Sequence, residues 1–314
     1  MAILDILSGL DLAAADIQLI VAAGPYQDGS AICQRAEITD DVADTFRGVA
    51  HDVIQGIVQP VESGDVQIRD YDAAVAPLGW EIERLDATAY EQVASQLKRL
   101  NDVSALPIFN ADDDFVSHLK FYSVTVRADG NPPVHFIRQF SPKSELDRSR
   151  WFGLFFNAGT YNRVTEKTFL FDENIDCVAV GSEILILKKN AFQQVFRFYD
   201  LIRVKGTESL AAVESLNMIA NFAEFSASCE GHMQKLAKLN SIVRKGYLSS
   251  ITLEQVKAVI EKLGLDVQIT KVNGQEQLQF DSSDRWVLLK LLDDDYYQST
   301  MTGRNYEANS KRDL

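Results

Sequence analysis

The sequence predicts an α+β fold with a small N-terminal α/β unit, a central antiparallel meandering sheet, and a mainly helical C-terminal part with a β-hairpin. Before residue 188, apolar and polar residues alternate over short runs, as in strands. After residue 190, apolar residues recur every three or four positions, as in helices that bury one face. We expect two domains, an acidic α+β domain over residues 1–110 and a second domain over residues 111–314.

The first domain combines apolar runs of strand length with two amphipathic helices. Asp40 or Asp41 is predicted to cap the first helix and Thr88 the second, and Thr88 with Glu91 has the spacing of a capping box. Polar residues 101–114 are interpreted as a linker or long loop. Strands are predicted at residues 16–23, 31–39, 65–71 and 80–85.

The central sheet is predicted over residues 115–188. Residues 115–127 end in the alternation of a half-buried strand, and Asp129-Gly130 predicts a turn into a partner strand over residues 134–140. Gly181-Ser182 suits a tight hairpin turn. The apolar face of the first strand carries Tyr122, Val124 and Val126, and its polar face carries Ser123, Thr125 and Arg127.

The helical part is predicted over residues 190–314, with Asn190 as its first cap. Thr252 and Gln255 form a capping-box pattern, and Gly264 ends the helix that follows. Asn273-Gly274 predicts a two-residue hairpin turn.

The last helix is predicted to start at Ser282 or Ser283 and to end at the acidic triplet of residues 293–295. Adjacent carboxylates repel one another and are poor helix formers, so we interpret the triplet as a solvated helix end.

The net charge of −14 by itself argues against nucleic-acid binding, but the charge is unevenly distributed along the chain. Residues 1–119 hold 6 Lys/Arg and 21 Asp/Glu, whereas residues 120–314 hold 25 and 24. The second part can therefore present local basic patches, which are what phosphate binding requires. The acidic part either favours solubility or docks a basic partner. The three cysteines, Cys33, Cys177 and Cys229, are far apart, as expected in a reducing cytoplasm.

Sequence motifs for catalysis are absent. No Asp/Glu-x-Lys, paired histidine or glycine-rich phosphate loop occurs, so we expect no catalytic residue, metal site or cofactor. The alternative is a metal-dependent nuclease or DNA-processing enzyme with an unfamiliar site. Its candidate ligands are Asp172, Glu173, Asp176 and Glu183.

The C-terminal residues carry a family resemblance. The final helix, the acidic triplet followed by Tyr296, the Met301-Thr302-Gly303 turn, the Tyr306-Glu307 pair and the terminal Ser-Lys-Arg run occur in this order. With a second block over residues 169–198, this order resembles the KwaB family of the Kiwa anti-phage defence system. The resemblance covers roughly residues 120–314.

The resemblance implies a cytoplasmic, non-catalytic effector that binds phage DNA largely independently of sequence. It also implies recruitment to the inner membrane by the membrane protein KwaA, and a block of phage replication and transcription. We expect a homodimer or larger assembly, since several weak sites in one assembly strengthen binding. A third possibility is a protein-interaction scaffold, in which the acidic first domain binds KwaA or another basic surface.

The resemblance assigns no DNA contacts, so we infer them from the basic residues. Lys and Arg at such positions reach phosphates without reading sequence, although such residues also form ordinary solvated faces. Tyr296, Tyr297 and Tyr306 either pack the chain end onto the domain or stack on unpaired bases. The candidate DNA contacts are Ser310, Lys311, Arg312, Arg304, Lys235 and Lys238.

Overall fold

The computed structural model describes most of the chain and divides it into two compact units. Unit 1 comprises Met1–Tyr71 and Pro77–Arg197, and unit 2 comprises Asp72–Ala76 and Phe198–Leu314. The described residues are 3–27, 30–74, 77–110, 118–140, 154–157, 160–163, 171, 173–283 and 286–308. The mixed α+β class predicted from the sequence is confirmed.

Unit 1 is built on a sheet whose described strands follow the order β2-β1-β5-β6-β9-β10-β4-β3. Neighbours are antiparallel except β3 and β4, which are parallel. A separate hairpin pairs β7 with β8. The strands are β1 Asp16–Gln27, β2 Ser30–Ala36, β3 Gln67–Asp70, β4 Glu81–Asp86, β5 Leu119–Arg127, β6 Val134–Gln139, β7 Leu154–Asn157, β8 Thr160–Arg163, β9 Cys177–Val180 and β10 Glu183–Ile186. The helices are α1 Ile3–Ser8, α2 Asp40–Glu62, α3 Glu91–Asn101 and α4 Lys189–Val195.

The sheet crosses the domain boundary predicted near residue 110. Strand β1 pairs with β5 from Asp16 opposite Arg127 to Ala23 opposite Leu119. Strands β4 and β3 follow β10 at the other end of the sheet. The sheet therefore includes β1–β4 from the predicted first domain, and the two compact units divide after Arg197 instead.

Both faces of the sheet are buried around β5, which corrects the predicted half-buried strand. On one face, Tyr122 and Val124 share a core with Phe46 and Ile54 of α2. On the other face, Thr125 is fully buried. Helix α3 contacts this second face. Its Gln96 Oε1 accepts a hydrogen bond of 2.6 Å from the Ala31 amide, and Asn101 Oδ1 lies 3.0 Å from His135 Nε2.

His135 is buried and held on both ring nitrogens, with Thr125 Oγ1 2.9 Å from Nδ1. Burial, with a smaller effect of the Arg127 charge, lowers the pKa of His135 from 6.5 to about 3. His135 therefore becomes protonated near pH 6.5 in the unfolded chain but only near pH 3 in the folded chain. Folding stability must fall as pH decreases through this window, since the unfolded state takes up more protons.

We expect the His135 effect to remove about 2 kcal/mol of stability between pH 7 and pH 5. Urea unfolding at the two pH values measures it, with His135→Gln as the comparison because glutamine does not titrate. The wild-type chain should lose about 2 kcal/mol more than the variant. Equal losses in the two proteins contradict the assignment.

Unit 2 is mainly helical, with two hairpins. Its core brings Leu239 and Ile242 of α7 together with Leu288 and Leu292 of α9. The helices are α5 Phe198–Ser215, α6 Phe222–Glu230, α7 Met233–Arg244, α8 Leu253–Leu263 and α9 Val287–Leu292. The hairpins pair β11 Ile269–Val272 with β12 Gln275–Leu278, and β13 Tyr296–Gln298 with β14 Asn305–Glu307.

The predicted boundaries of α8 and of the hairpin after it are confirmed. Thr252 and Gln255 form both hydrogen bonds of the capping box, and Gly264 ends the helix in the left-handed conformation. Asn273 and Gly274 both have positive φ, 52° and 82°, as a type I′ hairpin turn requires.

Four predicted caps are wrong. Asp40 and Asp41 lie inside α2, whose N-cap is Thr39. Thr88 lies in a short 3₁₀ helix, and its side chain does not cap α3. Instead, the Thr88 amide donates a hydrogen bond to Asp86 Oδ1. Asn190 lies inside α4, which begins one residue earlier. Helix α9 begins at Val287, after the predicted Ser282 or Ser283.

Candidate functional site

A cluster of two lysines and two buried aspartates lies where α9 ends. Lys238 Nζ is 2.7 Å from Asp293 Oδ2 and 2.5 Å from Asp295 Oδ2. Lys245 Nζ is 2.5 Å from Asp293 Oδ1. Asp295 is only 1% exposed. The acidic triplet is therefore not the solvated helix end that the sequence predicted, because only Asp294 is exposed.

Local geometry explains how two residues of the triplet share one partner. Asp294 has a φ of 55°, a left-handed conformation that Asp adopts more readily than most residues. This turn directs Asp293 and Asp295 to the same side, towards α7. Lys238 and Lys245 are seven residues apart, which is close to two helical turns, so they approach from one face of α7.

The ion pairs of the cluster shift the pKa values of Asp293 and Lys238 in favour of their charged forms. Burial by itself raises the pKa of Asp293, but hydrogen bonds from Lys238 and Lys245 more than offset this, and the net pKa is below its usual value. Burial by itself lowers the pKa of Lys238, but its bonds to both aspartates bring the net pKa above its usual value. Asp293 and Lys238 are therefore both ionised at neutral pH.

A half-open cleft of about 620 Å³ borders this cluster. The Tyr247 hydroxyl donates to Asp293 Oδ1 at 3.1 Å, and burial together with the Asp293 charge raises the pKa of Tyr247. Ile251, Val259 and Leu291 supply an apolar wall. The phenol thus stays protonated, and the cleft offers hydrogen-bonding groups at one side of an apolar surface.

The candidate DNA contacts that the structure describes differ in their surroundings. Lys235 is 1% exposed and donates to Ser228 Oγ at 2.5 Å, and Lys238 belongs to the lysine–aspartate cluster. Both ammonium groups therefore bond to side chains of unit 2 itself, Lys235 to Ser228 and Lys238 to Asp293 and Asp295. Arg304 is exposed. Ser310, Lys311 and Arg312 lie outside the described residues.

Arg304 belongs to the β13–β14 hairpin, which hydrogen bonds and an ion pair connect to neighbouring residues of unit 2. The Ala308 amide donates to the Asp295 carbonyl oxygen at 2.8 Å. Lys290 of α9 forms an ion pair with Glu307. Asn305 Nδ2 donates to the carbonyl oxygen of Leu263, at the end of α8, at 3.4 Å.

The three tyrosines of the hairpin lie on different faces. Tyr296 is half-buried against the core and lines the cleft, which fits the packing interpretation. Tyr297 and Tyr306 are opposite one another in the ladder, with ring centroids 5.6 Å apart and planes at 20°. These two rings are 52% and 42% exposed. They stack on each other and do not pack into the core.

The candidate ligands of the nuclease alternative are scattered. Asp172 lies outside the described residues, and Glu173 is exposed. Asp176 is fully buried and paired with Arg138, while Glu183 accepts a hydrogen bond from the Ile3 amide. Among the residues that the structure describes, no group of three or more His, Cys, Asp or Glu side chains is placed to hold a metal ion.

Comparison with known proteins bears on the second part of the chain. The family model described as Kiwa protein KwaB-like matches residues 117–302, more than half of the chain. The chain belongs to the KwaB-like family. No curated protein and no solved structure gives a significant match. Membership of the KwaB-like family implies a role in Kiwa anti-phage defence.

The KwaB-like match runs from the start of β5 into the turn of the β13–β14 hairpin. It therefore includes the lysine–aspartate cluster and the cleft but ends before Arg304. Strands β1–β4 lie outside the match, although they complete the same sheet. In the described part of the chain, no helix has both the length and the apolar character needed to cross a bilayer.

Proposed function

We propose that this chain is the DNA-binding effector of a Kiwa-like defence system. It binds phage DNA without cutting it and blocks replication and transcription by occupying the DNA. Membership of the KwaB-like family supports the defence role. The DNA-binding step is proposed from the basic residues at the end of unit 2.

Arg304 carries the proposal for DNA contact. Its guanidinium is exposed on a hairpin that is tied to α8, α9 and Asp295, so it is presented from a supported element. The sequence continues from this hairpin to Ser310, Lys311 and Arg312. These residues place three cations and a hydroxyl within nine positions, a composition suited to phosphate oxygens.

The proposal includes two kinds of assembly. A membrane partner, KwaA in the Kiwa system, recruits the chain to the inner membrane where phage DNA enters. A homodimer brings two basic hairpins to the same DNA and strengthens binding by raising the effective concentration of the second site.

A salt series tests the DNA contact. Purified full-length chain is titrated against a labelled duplex at several salt concentrations. Each lost phosphate contact should reduce the slope of log affinity against log salt by about 0.9. For the triple variant Arg304→Gln/Lys311→Gln/Arg312→Gln, we expect a slope shallower by about 3.

Lys98→Gln is the matched control, because Lys98 is an exposed lysine of α3 in unit 1. It should leave the slope unchanged. An unchanged slope in the triple variant, with folding intact by circular dichroism, contradicts the proposed contacts. Cleavage of the DNA in the presence of Mg²⁺ contradicts the non-catalytic mechanism.

A further inference from the structure

We propose that the outer face of the β13–β14 hairpin binds unpaired bases, so that the chain recognises single-stranded DNA. This inference rests on the proposed DNA binding and specifies the form of the DNA. It starts from Tyr297 and Tyr306, a pair of exposed, nearly parallel aromatic rings.

Strand alternation defines the outer face. Tyr296 and Glu307 form one cross-strand pair of the ladder, and both contact the rest of unit 2. The next pair, Tyr297 and Tyr306, must point to the opposite side of the hairpin because successive side chains alternate. The aromatic pair therefore faces away from the core.

Arg304 lies on the same outer face. The amide of Ser299 donates to the carbonyl oxygen of Arg304 at 2.9 Å, directly beyond the pair of Gln298 and Asn305, while the carbonyl oxygen of Ser299 accepts from the Gly303 amide at 2.9 Å in the turn. Arg304 is two residues before Tyr306, so alternation places the two side chains together. The outer face thus combines two aromatic rings with one guanidinium.

The chemistry of this face matches an unpaired nucleotide. Each ring of the pair has one side against its partner, which leaves its outer side open to a base. Exposed aromatic side chains stack on bases of any sequence, and a nearby cation contacts the phosphates. A duplex hides its base faces in the stack, so such a platform favours single strands.

The supports of the hairpin make this platform rigid before it binds. Glu307 pairs with Lys290, and the Ala308 amide bonds to Asp295, whose carboxylate is held by Lys238. A preorganised aromatic pair loses little side-chain freedom on binding, which favours affinity. Trp80, another exposed aromatic residue, lies in unit 1 and serves as a comparison.

The experiment compares a labelled dT20 strand with a 20-base-pair duplex by fluorescence anisotropy, using the full-length chain. For Tyr297→Ala/Tyr306→Ala we expect single-strand affinity to fall about 10- to 100-fold, and duplex affinity to fall less than 2-fold. Tyr297→Phe/Tyr306→Phe keeps both rings and should bind the single strand like the wild type. Trp80→Ala is the matched control and should change neither affinity.

The outcomes separate this inference from the proposed function. If wild-type chain binds neither DNA, the proposed function fails. If wild type binds the duplex and the alanine variant retains full single-strand affinity, the platform inference fails while the proposed function stands. An equal loss on both DNAs also overturns the inference. So does a variant that binds both DNAs normally but no longer associates with the membrane partner, because the face is then a protein contact.

Discussion

Replacing Lys238 by methionine is expected to destabilise unit 2 by about 3–5 kcal/mol, the usual result of breaking a buried ion pair. Methionine fills similar space but removes the ammonium that Asp293 and Asp295 share at 2.7 and 2.5 Å. Both carboxylates stay in a buried setting with one cation fewer. The cost comes from the desolvated negative charge that remains, more than from the attraction that is lost.

Urea unfolding of the full-length chain, with hydrogen exchange of α7 and α9 amides, measures this loss in unit 2. Lys262→Met is the matched control, because Lys262 is an exposed lysine at the end of α8. It should change stability by no more than about 0.5 kcal/mol. Comparable losses in the two variants contradict a special role for Lys238.

A double-mutant cycle adds a second test of the same pair. If Lys238 and Asp295 interact directly, Lys238→Met/Asp295→Asn should lose less stability than the two single variants added together. Strict additivity would show that the two side chains act independently, despite the 2.5 Å between Nζ and Oδ2.

The features predicted correctly from the sequence depend on neighbouring residues. The Thr252–Gln255 box and the Asn273-Gly274 turn are specified within four positions, and both are present. The pairing of β1 with β5 is different, because it joins segments about a hundred residues apart. Local patterns do not encode such a partner, so the predicted boundary near residue 110 divided a continuous sheet.

The lysine–aspartate cluster was missed for a related reason. The sequence shows Lys238 and Lys245 seven residues apart and an acidic triplet elsewhere, but nothing local pairs them. The positive φ of Asp294 then turns two carboxylates to one side, which helix geometry alone does not anticipate. Lysines on one face of the amphipathic helix α7 and carboxylates directly after the apolar helix α9 are the signal that favours such pairing.

Asp176→Ala is expected to destabilise unit 1 by about 3–5 kcal/mol, because Asp176 joins the ends of the central strands β6, β9 and β10 through a buried ion pair and backbone hydrogen bonds. Its carboxylate accepts from Arg138 Nη1 at 2.6 Å and from the Gln139 amide at 2.7 Å. Its carbonyl oxygen accepts from the amides of Leu187 and Lys188, each at 2.9 Å. Alanine keeps the backbone bonds but leaves the largely buried Arg138 guanidinium without this carboxylate.

Two further variants identify what Asp176 does. Glu173→Ala, at an exposed carboxylate three residues away, should change stability by no more than about 0.5 kcal/mol. Asp176→Asn keeps hydrogen-bonding atoms but loses the charge, so its loss should lie between those of Glu173→Ala and Asp176→Ala. Urea unfolding and hydrogen exchange of β6 and β9 amides measure all three.

The same variants decide between a structural and a catalytic carboxylate. If Asp176 held a catalytic metal ion, its replacement would abolish Mg²⁺-dependent DNA cleavage. The replacement would also relieve charge repulsion among the carboxylates of the empty site, so the protein would not be strongly destabilised. The ion pair with Arg138 predicts the opposite result, a large loss of stability in Asp176→Ala. Unchanged stability together with lost cleavage would therefore favour the nuclease over the DNA-binding effector.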